Sequence, residues 1–178
     1  MPDRITPIIR HATASDAALL AELGARTFAD TFAIDNKPED MATYLAASFS
    51  EEQIQSELSD SRCTFLIAQI HTQPAGYALL RTGDAPKEIS HTNSIEIVRF
   101  YVSREWHGLG IADALMNACI SKAQQSGYET MWLGVWERNA RAQAFYKRWD
   151  FANVGTHTFE LGSDLQNDIL MERSVTRD

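Results

Sequence analysis

The most constraining stretch of this 178-residue chain is Ile97-Val-Arg-Phe-Tyr-Val-Ser-Arg-Glu-Trp-His-Gly-Leu-Gly-Ile-Ala-Asp-Ala-Leu-Met116. It opens as an apolar strand-like run, passes through a polar turn with two glycines one residue apart, and continues with helical periodicity. A strand, a glycine turn and a helix in that order require an α/β arrangement and build an anion site. The glycines let the backbone turn with its N–H groups outward, and the helix adds the positive end of its dipole. A phosphate-bearing ligand is the expected occupant.

Two common phosphate binders do not fit these residues. A dinucleotide fold places a third glycine three residues after the second, and Asp113 stands there. A P-loop needs Lys and Ser/Thr at the helix start, where this chain has Ile111-Ala112. The strand also begins past the middle of the chain, after other strand-like sequence, whereas both of those folds open on it.

His107-Gly108-Leu109-Gly110-Ile111-Ala112 instead resembles the pyrophosphate loop of the Gcn5-related N-acetyltransferases, Gln/Arg-x-x-Gly-x-Gly/Ala. Gly110 and Ala112 match, and His107 stands where Gln or Arg is usual. Trp132-Leu-Gly-Val-Trp-Glu-Arg-Asn-Ala-Arg-Ala-Gln-Ala-Phe-Tyr146 is similar to the family's strand, Asn and Ala-x-x-Phe-Tyr helix. Within the family, Thr27-Phe-Ala-Asp-Thr-Phe32, Asn36, Glu39-Asp40, Tyr44, Trp132–Glu137 and Gly155-Thr-His-Thr-Phe159 with Asp168 resemble the PaiA-type polyamine N-acetyltransferases. The likeness spans roughly residues 5 to 173. It implies an α/β (α+β) fold: a mixed, twisted central sheet flanked by helices, its central strands splayed. It also implies one N-acetyltransferase domain over residues 1–178 and acetyl-CoA as donor.

Bulk properties agree with such a domain. The chain is large enough to bury about two-thirds of its unfolded surface without staples. It holds no apolar run near the ~18 residues of a membrane span and no signal-like start, so a cytoplasmic location is expected. A net charge of −8 argues against nucleic acid as a main partner and suits a cationic small-molecule substrate. Cys63 and Cys119 lack pairing or metal spacing and read as buried thiols. His11, His71 and His91 are scattered without ligand spacing and no metal is predicted, while His157 is a candidate for the mouth of the site that nothing in the sequence fixes there.

Periodicity and turn signals predict strands over 5–11, 64–70, 75–80, 94–102, 130–135, 151–159 and 168–173, with the second and third turning about Gln73-Pro74. Helices are predicted from the capping pattern at Thr13–Asp16, over 39–47, from Ser50 to Leu58, and over 110–126 and 140–149. Residues 83–93 read as a polar loop. Asp150 stands where the family has Gly, which calls for a left-handed Asp.

The resemblance assigns roles by position. The N–H groups of Gly108, Leu109, Gly110, Ile111 and Ala112 meet the CoA pyrophosphate, aided by His107. The backbone of Phe100, Tyr101 and Val102 pairs with the pantetheine arm, with the Val102 N–H toward the thioester carbonyl. Asn139 caps the following helix, lies beside the CoA arm with Ala142, or does both. Tyr146 corresponds to the general acid. Arg148 meets CoA phosphate or simply solvent.

A primary amine of pKa about 10.4 is almost wholly protonated at neutral pH, so a base is needed. Glu96 and Glu137 are the carboxylates placed for it, directly or through water. Val98 replaces an acidic residue frequent in the PaiA-type pattern. Phe28, Phe32, Tyr44 and Trp136 would wall an acceptor pocket, apolar for methylenes and π-faced for ammonium groups. The resemblance favours spermidine or spermine and direct transfer in a ternary complex. A protein N-terminus, a lysine or another small amine stays open, as does a non-catalytic CoA-binding module. A homodimer would be usual for the superfamily.

Overall fold

The computed structural model describes residues 5–177. In chain order, β1 (Ile8–His11) leads through a 3-10 turn into α1 (Ala17–Phe32), followed by α2 (Pro38–Ser48) and α3 (Glu51–Ser59). Then come β2 (Cys63–Ile70), β3 (Gln73–Thr82), β4 (Ser94–Val102), α4 (Ile111–Gln125), β5 (Thr130–Trp136) and α5 (Ala140–Arg148). A hairpin of β6 (Ala152–Leu161) and β7 (Asp164–Ser174) finishes the chain. The strands form one mixed sheet in the order β1-β2-β3-β4-β5-β7-β6, parallel only between β4 and β5.

The predicted helix signals are used. Asp16 accepts from the Thr13 backbone N–H at 2.8 Å and from both terminal nitrogens of Arg10 at 2.8 Å. The guanidinium holds this carboxyl well below the usual carboxylate range, at about 2. Ser50 Oγ accepts from Gln53 N–H at 3.2 Å, Pro38 occupies the first turn of α2, and Gly127 at φ 79° follows the end of α4. Asp150 is left-handed at φ 66°, as expected.

Two turns differ from the sequence reading. β2 and β3 turn at His71-Thr72, with His71 at φ 55°, two residues before Gln73-Pro74. Pro74 lies inside β3 beside a register irregularity, where its missing N–H costs little. β6 and β7 meet through Gly162-Ser163, with Leu161 opposite Asp164, so residues expected to connect the strands belong to them. Gly162 at φ 61° supplies the positive φ that a two-residue hairpin demands.

Each face of the sheet has its own core. Leu66, Ala68, Ala78, Leu80, Ile95, Ile97, Met131 and Leu133 meet Leu115, Met116 and Cys119 of α4. Phe65, Ile67, Tyr77 and Leu79 face α1–α3, against Leu20, Leu23, Phe28 and Ile54. A bulge in β4 crosses this division. Leu79 pairs with Arg99 and Leu80 with Ile97, which leaves Val98 as an extra residue. Ile95 and Ile97 therefore share a face with Phe100 and Val102, while Val98 and Tyr101 lie with α1–α3. Arg99 goes to that second face, bound to both Glu57 oxygens at 2.7 and 3.0 Å and stacked 4.8 Å over Phe49.

β4 and β5 pair only from Ser94–Thr130 to Ile97–Leu133. Beyond Ile97, β4 stays with β3 as far as Val102, while β5 stays with β7 as far as Trp136. The centre of the sheet therefore opens into a wedge, with α4 and α5 on one side and α1 and α2 on the other.

Candidate active site

The wedge leads into a cavity of about 820 Å³. At its loop end, Gly108 and Gly110 adopt φ 78° and 81°, and Gly110 caps α4. A Cβ on either would meet nothing within 4 Å, so backbone conformation and room for a ligand, not packing, call for glycine. Arg104, Arg141 and Arg148 line the same end. Outward N–H groups, a helix start and three guanidiniums suit a polyanion such as a pyrophosphate.

The edge of β4 suits an extended arm. Ser103 N–H donates to Ala75 O of β3 at 2.8 Å. Backbone groups alternate along an antiparallel strand, so the N–H and C=O of Val102 point the other way, into the wedge. The Val102 carbonyl accepts from His107 Nε2–H at 2.7 Å, and Arg141 donates to His107 Nδ1 at 2.9 Å. A carbonyl only accepts and a guanidinium only donates, so these partners fix His107 as the neutral Nε2–H tautomer. The histidine ties the glycine loop to the strand end and aims Arg141. Asn139 Oδ1 accepts from Ala142 N–H at 3.1 Å, which makes it a true helix cap at the cavity wall.

Tyr146 lies on α5 in an aromatic cluster, with ring centroids 6.3 Å from Phe100, 5.5 Å from Phe145 and 5.7 Å from Phe151. Burial pushes its phenol well up from the ordinary value, so the proton is present at neutral pH. Burial also raises the Tyr101 phenol on β4.

The other end of the cavity is aromatic. Phe28 is stacked 4.6 Å from Tyr44 and packed 4.4 Å from Phe32. Phe32 lies 5.3 Å from Trp136, and Tyr44 meets Phe159 edge-on at 5.6 Å. Ionisable groups interrupt this wall, among them Glu96, His157 and Asp168. Glu96 Oε2 is 3.2 Å from Arg81 Nη2; burial pushes its carboxyl up, against the opposing pull of that guanidinium. Asp168 is raised by burial too, with His157 Nε2 3.5 Å from its Oδ2 opposing the rise.

Nearly all sequence-proposed residues line this one cavity: Phe28, Phe32, Tyr44, Glu96, Phe100, Tyr101, Val102, His107, Gly108, Gly110, Ile111, Ala112, Trp136, Asn139, Ala142, Tyr146 and Arg148. Leu109 and Glu137 do not; both are exposed, and Glu137 lies past the end of β5. Arg81, Arg141 and Asp168 line it without having been singled out for a role, and His157 had no placement. The signal for the His–Asp pair was available. Counting back from a Gly162-Ser163 turn sets His157 opposite Asp168, as found.

A mixed sheet split between two central strands, with a glycine-loop helix at the split, defines an acyl-CoA-binding architecture. The Acetyltransferase (GNAT) family profile matches residues 27–151, and the chain belongs to that family. It is 33% identical over 153 residues to an uncharacterized N-acetyltransferase of Lactobacillus delbrueckii subsp. lactis, covering 86% of this chain and 88% of the relative. It is 35% identical over 161 residues to one from Mycobacterium tuberculosis strain H37Rv, covering 90% and 99%. In fold it is similar to the PaiA N-acetyltransferase from Thermoplasma acidophilum in complex with coenzyme A, with TM-score 0.77, 20% identity, and 95% and 99% of the chains covered. The ribosomal-protein-S18-alanine N-acetyltransferase of Escherichia coli superposes with TM-score 0.71 at 16% identity over 97% and 96%. The protein is an N-acetyltransferase, and its donor is acetyl-CoA. No helix among the described residues is long and apolar enough to cross a membrane.

Proposed function

We propose that the protein acetylates a primary amine of a flexible polycation, with spermidine or spermine the best-fitting acceptors, by direct transfer in a ternary complex. The observation that carries this reading is the aromatic end of the cavity. Ring faces of Phe28, Phe32, Tyr44, Trp136 and Phe159 suit methylenes, and the half-buried Glu96 and the buried Asp168 suit ammonium groups. The PaiA-type pattern in the front end and tail of the sequence points the same way.

Bound acetyl-CoA supplies the acetyl thioester. The glycine loop with Arg104, Arg141 and Arg148 would hold its phosphates, and β4 its extended arm. The Val102 N–H, directed into the wedge, would polarise the carbonyl and meet the developing oxyanion. Tyr146, its phenol kept protonated by burial, would donate to the leaving sulfur. Direct transfer is supported by the cysteines. Neither lines the cavity, and burial raises both thiols, Cys119 to about 12.

The test is acceptor-dependent release of free CoA with spermidine, spermine, a lysine peptide, an alanyl-N-terminal peptide and no acceptor. Polyamines should give the highest kcat/KM by at least about tenfold, or about 1.4 kcal/mol of transition-state preference. Faster turnover of either peptide would refute the polyamine assignment. CoA binding without turnover of any amine would leave a binding module.

A further inference from the structure

An ammonium nitrogen cannot attack a thioester until it loses a proton, and the residues that line the cavity narrow the choice of acceptor. Glu137 is outside it, and Glu96 is paired with Arg81. His157 on β6 faces Asp168 across the β6–β7 ladder, and Asp168 faces Trp136 at the end of β5. Both side chains lie over Gly134. A Cβ placed there would stand 3.1 Å from Asp168 Oδ2 and 3.2 Å from His157 Nε2, so the missing side chain leaves the dyad its room. Gly134 follows Leu133, the last residue of β5 paired with β4, so the dyad sits where the wedge begins. The Asp168 side chain is 13% exposed and that of His157 39%: the carboxylate is set back and the ring is open to the cavity.

We propose that His157 takes the acceptor's ammonium proton, with Asp168 as its positioning residue. This rests on the amine-acetylation reading above. A carboxylate accepts from Nε2–H and leaves the lone pair on Nδ1. In the step, one N–H bond of the ammonium breaks and one forms at Nδ1, freeing the nitrogen pair to form the amide bond. Over the reaction the ammonium loses two protons. One replaces the proton that Tyr146 gives the departing sulfur, and the other leaves His157 for solvent. Asp168 on β7 and Glu96 on β4 act directly on the imidazole, while Glu137 beyond β5 and Tyr44 on α2 act on Asp168, and Arg81 on β3 pairs with Glu96.

The experiment compares the full-length wild type with H157Q, H157A and D168N, following spermidine-dependent CoA release against pH and CoA affinity by calorimetry. H157Q should keep CoA affinity, lose about 10²–10⁴-fold in kcat, and lose the acidic limb of kcat/KM. Added imidazole should restore part of the H157A rate. D168N should lower kcat by about tenfold or more with CoA affinity unchanged, because the imidazole loses the acceptor that holds its Nδ1 toward the amine. H157Q with wild-type kcat and an unchanged acidic limb overturns the proposal and leaves the acetyltransferase reading intact. A wild type that turns over no amine instead overturns that reading. If H157Q does not fold, D168N decides, and wild-type kcat in D168N overturns the proposal.

Discussion

Gly76 on β3 lies under the functional stretch of β4, and replacing it with alanine tests whether the placement of Val102 matters. A Cβ at position 76 would stand 2.6 Å from the Tyr101 carbonyl oxygen, 3.1 Å from Val102 Cα and 3.2 Å from Val102 Cγ2. The first contact is about 0.8 Å short of ordinary van der Waals distance, and it is against backbone, which cannot swing aside. Gly76→Ala must therefore push the Tyr101–Val102 peptide toward the wedge. Overpacking of this kind costs about 1–3 kcal/mol, or between about 2 and 12 °C in Tm for a chain of this size. A displacement near 1 Å at a transition-state donor costs up to about 10²-fold in rate. Spermidine-dependent CoA release should therefore fall by about 10–100-fold in kcat, while CoA affinity, set largely by the glycine loop, changes by less than about threefold. Gly155→Ala is the control. Its Cβ would come 2.8 Å from Glu88 Cγ, also too close but against a loop side chain that can yield and is remote from Val102, and kcat should hold. Wild-type kcat and Tm in Gly76→Ala would refute the reasoning.

Three further outcomes are expected. Tyr146→Phe should lower kcat by about 10²–10⁴-fold with CoA affinity unchanged, and retained turnover would remove the phenol from the chemistry. Gly110→Glu should abolish CoA binding in calorimetry while circular dichroism stays that of the folded protein, since a carboxylate at a φ of 81° adds strain, bulk and like charge where phosphate must sit. Asp16→Asn should cost about 1–2 kcal/mol at neutral pH and progressively less toward pH 2. The native carboxyl ionises below its ordinary range, so its contribution is full above that range and fades as pH falls; parallel Tm curves at all pH values would contradict the Arg10–Asp16 pairing.

Where function is carried by local backbone, the sequence was readable. The glycine loop, the Asn139 cap and the Tyr146 helix each depend on residues within one turn of each other, so short motifs that resemble the family's were enough to locate them. The left-handed Asp150 followed from an absent glycine. What escaped depended on pairing across the sheet. Placing His157 beside Asp168 needs the hairpin register, and the register needs the turn at Gly162-Ser163. Glu137 looked adjacent to Glu96 because their strands are neighbours, but those strands part after Ile97 and Leu133. Arg99 was unreadable for a different reason. Alternation assigns it to the face of Ile95 and Ile97, and only the bulge at Val98 turns it toward Glu57.

That extra residue also governs what the lineage of this chain can change. Most of β4 could drift among apolar side chains of similar volume, and the 83–93 loop could lengthen. Removing one residue between Ile95 and Val102 would do something different. Loss of Val98 itself would close the bulge and leave Ile97, Arg99 and Phe100 alternating on the faces they hold now. Loss of Glu96 or Tyr101 with the bulge closed would instead turn the side chains between that position and Val98 to the opposite face. The heritable constraint on this strand is therefore the place of a gap, since one at Val98 keeps the division between the two faces and one at Glu96 or Tyr101 does not.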